Sequence, residues 1–336
     1  MLFYRFRWSV LLMGLCVIGR SVYAAGQVAA DDQKTAQEVL KKIQTSAQNL
    51  NYSGTFVYQQ ASQIRTSKIT HYVDEHGELE KLEILDGKPR EYIRKGDEVS
   101  CYLPESKTIQ IEKNVTQEVF PALLTQNASS LPDNYTIKKA DLNRVAGLTC
   151  QTYLLQPKDA YRYGYRLCAE KQSGLLLRAQ TVNAKNDVIE QIAFTELKLN
   201  DIDKNKLKPS FQNISRWHIE NLTVQSNINS GWVVRSLPAG FRKTKEMKRV
   251  IPAPPTSAGS KSGASHQVIQ MIFSDGLAAI SVFIEPDSES RTEGSLQQGA
   301  MTIMGKRQGA YWLTVVGEVP ATAIQQVMNS IEFKTK

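Results

Sequence analysis

The chain has 336 residues, with 41 Lys/Arg against 33 Asp/Glu and a formal net charge of +8. That length exceeds what one hydrophobic core usually organises, so two domains are expected. No apolar run reaches the roughly 20 residues of a membrane span, which excludes a helical polytopic membrane protein.

Residues 1–24 read as a secretory signal peptide. Arg5 and Arg7 form the positive start, Trp8 to Gly19 is a 12-residue apolar run, and Val22-Tyr23-Ala24 ends in a small residue suited to cleavage. Cys16 follows the bulky Leu15, where a lipidation signal carries a small residue, so cleavage without lipidation is expected. Export places the mature chain in an oxidising space, the periplasm. Its 38 basic residues face 33 acidic ones, and three cysteines remain: Cys101, Cys150 and Cys168.

A helix comes first. Ala36, Val39, Leu40, Ile43, Ala47 and Leu50 form one apolar stripe, with a capping box at Thr35 and Glu38 or a start one turn earlier at Asp31 or Asp32. The period then changes to two. Tyr52, Gly54, Phe56 and Tyr58 alternate with polar neighbours, and strands are predicted at Lys68–Val73, Leu79–Leu85, Glu91–Arg94, Glu98–Leu103 and Thr108–Glu112. Glu118–Gln126 breaks the pattern as a short apolar insert carrying Phe120, Leu123 and Leu124.

From Gly147 to Leu199 four β-patterned runs and short turns predict an antiparallel meander. Tyr161, Tyr163 and Tyr165 alternate with Arg162, Gly164 and Arg166, as on one strand. A turn centred between Lys158 and Asp159 sets Cys150 opposite Leu167, and a one-residue bulge brings it to Cys168. A cross-strand disulfide is expected; the alternative is two buried thiols. Cys101 alternates with Val99 and Leu103 and reads as a buried free thiol. A sheet of nine or more strands curls rather than staying flat. With a helix across its concave side it becomes a half-barrel around an apolar cavity.

Residues 200–230 lose the strand rhythm, which puts the domain boundary near 205–216. The expected division is 25–210 for the first domain, 211–230 for a linker and the start of the second, and 231–336 for the second. Trp217, Trp232 and Trp312 are assigned to the second domain or its junction. Further strands are predicted near Gly231–Ser236, Gln267–Phe273, Ala278–Ile284, Ala300–Lys306 and Tyr311–Val316. A helix opened by Pro320 buries Ile324, Val327, Met328 and Ile331. The stretch 252–265 reads as a mobile connection.

No catalytic constellation emerges. His71, Asp74 and His76 match no familiar metal-ligand spacing, and no phosphate loop, nucleophile elbow or zinc-protease helix is visible. Ser274-Asp275-Gly276 reads as a hairpin turn. Neither an enzyme nor a cofactor is expected. Arg242, Lys243, Lys245, Lys248 and Arg249 cluster after Leu237-Pro238-Ala239-Gly240-Phe241. They read either as an anion-binding edge for an acidic peptide or lipid phosphate, or as a solvated loop. Nucleic acid does not suit an exported protein.

Four stretches carry a resemblance. They are Asn49-Leu50-Asn51-Tyr52-Ser53-Gly54-Thr55-Phe56; Trp232 with Leu237-Pro238-Ala239-Gly240-Phe241; Phe273-Ser274-Asp275-Gly276-Leu277; and Val316-Gly317-Glu318-Val319-Pro320. In this order they resemble the RseB/MucB family of periplasmic regulators of the sigma-E envelope stress response. The resemblance implies an α+β chain: a LolA/LolB-like half-open antiparallel β-barrel with helices, then a smaller α+β domain. It implies a negative regulator that binds the periplasmic domain of an RseA/MucA-like anti-sigma factor and shields it from the site-1 protease. Lipopolysaccharide or another acylated lipid is the implied releasing signal, with an apolar cavity at Phe56, Phe120, Leu123 and Leu124; a homo-oligomer is also consistent. The competing reading is a lipid or lipoprotein carrier using the same cavity with no regulatory partner.

Overall fold

The computed structural model describes residues 37–113, 120–124, 131–200, 202–222, 224–251, 266–287 and 291–334. The signal peptide, both ends of the insert at 118–126 and the connection at 252–265 lie outside the described residues, as do Asp31, Asp32, Thr35 and Ala36.

The chain opens with α1 (37–49), which buries Leu40, Ile43 and Ala47. Six strands follow in meander: β1 (Tyr52–Gln60), β2 (Gln63–Asp74), β3 (Gly77–Ile84), β4 (Arg90–Lys95), β5 (Glu98–Leu103) and β6 (Thr108–Glu112). A single-turn α2 (Leu131–Asn134) leads into β7 (Tyr135–Val145), β8 (Leu148–Pro157), β9 (Gly164–Glu170), β10 (Leu176–Val182) and β11 (Val188–Leu199). β11 closes back antiparallel on β1, and β12 (His218–Leu222) runs parallel to β6 at one edge. The sheet of twelve has the order β12-β6-β5-β4-β3-β2-β1-β11-β10-β9-β8-β7, with β12 and β7 as separate edges. This is the long, almost wholly antiparallel sheet expected for the first domain, open at its two edges, with α1 packed into its core.

Local chemistry explains the joints. Gly54 sits where a Cβ would come 2.5 Å from the Glu196 carbonyl and 2.8 Å from the Phe194 ring. The β1–β11 register shifts beside it, between Thr55 and Phe56. Only glycine lets the two backbones approach that closely. α1 is held across the β9–β10 turn: Lys42 Nζ donates to the Gln172 carbonyl at 2.9 Å, and the Ser46 hydroxyl to that of Ser173 at 2.5 Å. Lys81 is buried on β3 between Glu83 and Glu91, at 3.1 and 3.3 Å, and donates to the Lys208 carbonyl and the Ser210 hydroxyl. It pins the chain leaving the sheet back onto its face.

The second sheet uses β13 (Val224–Ser226), β15 (Arg242–Ile251), β16 (His266–Ser274), β17 (Ala279–Pro286), β18 (Gly294–Gln298), β19 (Met301–Gln308) and β20 (Tyr311–Gly317). Their order is β13-β15-β16-β17-β20-β19-β18. β14 (Trp232–Val234) and β21 (Ile331–Phe333) form a separate pair around α3 (Ala321–Asn329). Ala323, Ile324, Val327 and Met328 of α3 pack on Phe273, Ile280, Val282, Leu313 and Val315. Each large side chain of that stripe contributes about 1.5–3 kcal/mol by leaving water.

Three expectations are corrected. The segment 211–230, read as linker and the start of the second domain, contributes β12 to the first sheet as well as β13 to the second. Trp217 stacks near Phe211 and Tyr102 of the first sheet, with centroids 5.4 and 6.5 Å away, rather than in the second core. Residues 161–163 are connection, because β9 starts only at Gly164. The connection is longer than the expected turn, so the β8–β9 register moves: Cys150 faces Glu170, and Cys168 faces Thr152. No bulge is needed. The Cys150–Cys168 disulfide forms diagonally, with Cα atoms 5.4 Å apart, and Cys101 is free and half-buried.

The bond spans 18 positions. Loop entropy for such a closure is about 3 kcal/mol, but the hairpin already aligns the strands. Converting both cysteines to serine should therefore lower the urea-unfolding free energy by less than that. An unreduced digest should yield one linked peptide pair; a peptide joining Cys101 to either partner would overturn the assignment.

Candidate functional site: a cavity walled by both domains

A cavity of about 310 Å³ opens on the concave face of the first sheet. Phe56 and Tyr58 of β1, Leu82 of β3, Tyr165 of β9 and Glu190–Ile192 of β11 line it, with Phe120 and Leu123 from the insert. Phe56, Phe120 and Phe194 form an aromatic cluster with centroids 4.9–6.1 Å apart. Of the four residues expected at an apolar cavity, Phe56, Phe120 and Leu123 line this one, and Leu124 is packed in the core. Two wall residues, Leu277 and Glu318, come from the second domain. A smaller cleft of about 230 Å³ lies around Lys81, whose charge is already met by Glu83 and Glu91; the larger, more apolar space is the stronger candidate.

Glu318 sits in the turn between β20 and α3, which is tied down by the Thr302 hydroxyl donating to the Val319 carbonyl at 2.9 Å. Water can reach its side chain, yet protein surrounds it and Glu190 faces it. Desolvation, then the Glu190 charge, push its carboxyl up to about 7. Burial raises Glu190 too, against the hydrogen bonds from Tyr58, the Ala300 backbone and Gln60. Tyr58 is raised by burial and by the Glu190 charge beside it.

Next to the cavity the domains are joined by a buried ion pair. Arg162 Nη1 lies 2.6 Å from Asp275 Oδ2, and both side chains are fully buried. Arg162 also holds Asp159 at 3.0 Å, donates to the Ala239 carbonyl and lies 5.4 Å from the Phe241 ring centroid. Asp275 further accepts from the Leu277 and Ala278 backbone N–H groups at 3.0 and 2.8 Å and from the Tyr135 hydroxyl at 3.4 Å. Burial pushes the Asp275 carboxyl up, but four converging donors are the environment of an ionised carboxylate. Gly240 completes the joint. It has φ +80°, and a Cβ there would run into the Asn134 amide.

The basic cluster is a strand, not a loop. Arg242, Lys243, Lys245, Lys248 and Arg249 all lie on β15. A register shift between Lys243 and Lys245 puts Lys243 on the same face as Glu246, which it meets at 2.5 Å. Lys245 and Arg249 share the other face. Arg249 pairs across the domains with Glu112 at 2.8 Å, and burial followed by Arg249 lowers the Lys245 ammonium.

His71 is fully buried and stacks on Tyr52 at 4.7 Å. Its Nδ1 donates to the Leu50 carbonyl at 2.8 Å, and its Nε2 meets Glu78 at 3.0 Å. Burial lowers its pKa, but these two bonds outweigh burial and the net shift is upward. His71, Glu78 and Glu80 cluster within 4.8 Å, and both ring nitrogens of His71 are already engaged, one by the Leu50 carbonyl and one by Glu78.

Phe56, Phe241, Leu277 and Glu318, one from each of the four sequence stretches, thus lie at the cavity or the joint beside it. The model of the MucB/RseB N-terminal domain matches residues 35–211, and that of the MucB/RseB C-terminal domain matches 226–332. This chain belongs to the MucB/RseB family. It is 23% identical over 317 residues to the sigma-E factor regulatory protein RseB of Haemophilus influenzae, covering 91% of this chain and 94% of that one. It is 26% identical over 328 residues to the sigma factor AlgU regulatory protein MucB of Pseudomonas aeruginosa, covering 94% and 96%. Among solved structures it resembles that of MucB in complex with MucA(peri), with a TM-score of 0.68, 25% identity, and coverage of 90% of this chain and 100% of that one. MucB/RseB proteins are regulators rather than enzymes. Arg162, Asp275, Glu190 and Glu318 were not singled out by sequence reasoning. Arg162 lies in an apparent strand alternation, Asp275 in an ordinary turn, and Glu318 in a loop before the last helix, with no local pattern pointing to the cavity.

Proposed function

We propose that this protein is a periplasmic negative regulator of the sigma-E type envelope stress response. It binds the periplasmic domain of a MucA/RseA-like anti-sigma factor, shields it from the site-1 protease, and lets go when an acylated lipid such as lipopolysaccharide enters the cavity. The family supplies the partner class. The observation that supports the coupling is that the second domain contributes Leu277 and Glu318 to the wall of the first domain's cavity. At about 310 Å³ the space sits at the small end of ligand pockets, which span roughly 300–1,000 Å³. It holds a short chain as it stands, and a multiply acylated lipid needs that wall to retreat. Burying an acyl chain gains about 0.8 kcal/mol per methylene. About seven methylenes therefore supply the roughly 5.5 kcal/mol that swings a two-state equilibrium from 1:99 to 99:1, provided the lipid prefers the partner-free form.

The test is a labelled anti-sigma periplasmic peptide followed by fluorescence anisotropy and by its cleavage rate with the site-1 protease. The peptide should bind and be protected, and lipid should reverse both. Binding of lipid with no peptide binding would favour the carrier reading. For the basic strand, reversing Lys245 and Lys248 to Glu should weaken peptide or lipid-phosphate association several-fold, and added salt should weaken the native protein in parallel. Unchanged affinity in the double variant would leave β15 as a solvated and domain-bridging strand.

A further inference from the structure

The polar end of the cavity carries an acceptor that its own donors leave unmet, although Tyr58, Gln60 and the Ala300 backbone reach Glu190. Glu190 is nine-tenths buried, and its Oε2 has no hydrogen-bond partner. Glu318 faces the same space from the other domain, and among the described residues no Lys or Arg lines it. A buried acceptor left without a donor costs about 1–3 kcal/mol, more when charged. A ligand that brings a donor relieves that cost; one that brings another anion adds to it, because charges interact more strongly there than in water.

We infer that the cavity selects at its polar end, taking an alkyl or acyl chain that terminates in a donor (ammonium, amide N–H or hydroxyl) and rejecting one that terminates in a phosphate or free carboxylate. The inference rests on the reading of the cavity as an acyl site. Any phosphates of an entering lipid then stay outside, and only the chain with a donor end passes Phe56 and Phe120. Burial raises the Glu190 and Glu318 carboxyls, and for Glu318 the Glu190 charge adds to it.

Octylammonium, 1-octanol and octanoate carry one common chain and three polar ends. Their binding to the full mature protein is measured by titration calorimetry at pH 8, where Glu318 is ionised and the amine still charged. Octanol binding tests the acyl site, and the ranking tests the selectivity. The expected order is octylammonium, octanol, octanoate, with about tenfold or more between the extremes, the worth of one charge-assisted hydrogen bond. Glu318→Gln and Glu190→Gln should each compress that span to about threefold or less while leaving octanol bound. Glu190 contacts several groups and its variant can perturb folding; Glu318 is accessible, so its variant keeps the test decisive. If octanol binds but octanoate equals or exceeds octylammonium, the selectivity is overturned and the acyl site stands. An undiminished span in Glu318→Gln overturns it as well. If none of the three binds, both readings fall.

Discussion

Replacing Arg162 with Met is expected to destabilise the joint between the domains by about 3–5 kcal/mol, the usual consequence of leaving a buried charge without its partner. The cause is the position of Asp275, which is fully buried and 2.6 Å from the guanidinium. Loss of Arg162 also removes the hydrogen bond to Ala239 and the contact with the Phe241 ring. Two of the four family stretches lose their grip on the first domain at once. Each domain keeps its own core, one around Leu40, Phe56 and Leu167 and the other around Ile280, Leu313 and Ile324. The variant should therefore unfold in two calorimetric transitions where the native protein shows a single coupled one, and it should be cleaved faster between residues 222 and 242. The double variant Arg162→Met/Asp275→Leu removes both charges and should recover much of the loss, because an apolar pair of similar volume is often as stable as a buried ion pair. A single-variant loss below about 1 kcal/mol, the range of exposed pairs, would show that the pair is solvated in solution.

What the sequence revealed and what it hid follow from the range of the interactions. α1, β1 to β6 and α3 were legible because their signals are local: a stripe at spacings of three and four, or alternation at two. β15 was not, because Arg242, Lys243 and Lys245 carry charge where a strand normally shows apolar alternation; its pairing with β16 overrode composition. The β8–β9 register was missed by three residues because Tyr161 to Tyr163 alternate like a strand while serving the domain joint. Tyr161 packs on the second core, and the Tyr163 hydroxyl accepts from Gln297 at 3.0 Å. The Cys150–Cys168 bond survived that error because a diagonal pair on a hairpin still comes within reach. The site itself was the least legible part. Arg162 and Asp275 are 113 positions apart, and nothing in either local pattern points to the other.

Stability should fall as pH rises from about 4.5 to about 7, and Glu318→Gln should remove a large part of that slope. The Glu318 carboxyl titrates near 4.5 when unfolded and at about 7 when folded. Between those values the folded chain holds a proton that the unfolded chain has released, so raising the pH favours unfolding. Glu190, also raised, acts with the same sign. His71 is raised as well, so its contribution is lost as pH climbs through its folded value, above 6.5. Glu78, Glu83, Glu170 and Glu246 are held below 4.5, because hydrogen bonds and cations outweigh burial, and their contributions fade only in more acid solution. Melting curves at pH 5 and 7.5 therefore isolate the raised groups. The Glu318 side chain is exposed to water, which limits the effect to about 1 kcal/mol rather than the full value of its shift. For a domain of this size that is about 2–4 °C in melting temperature. The groups facing Glu318 are Tyr58, Tyr165 and Glu190 on the first sheet, with Asp275 nearby and already committed to Arg162. None of the three facing groups supplies a cation to hold the ionised form. Ionisation of Glu318 thus acts on the part of the cavity wall that the second domain supplies, and a Glu318→Gln protein that kept the native pH slope in full would separate that wall from the titration.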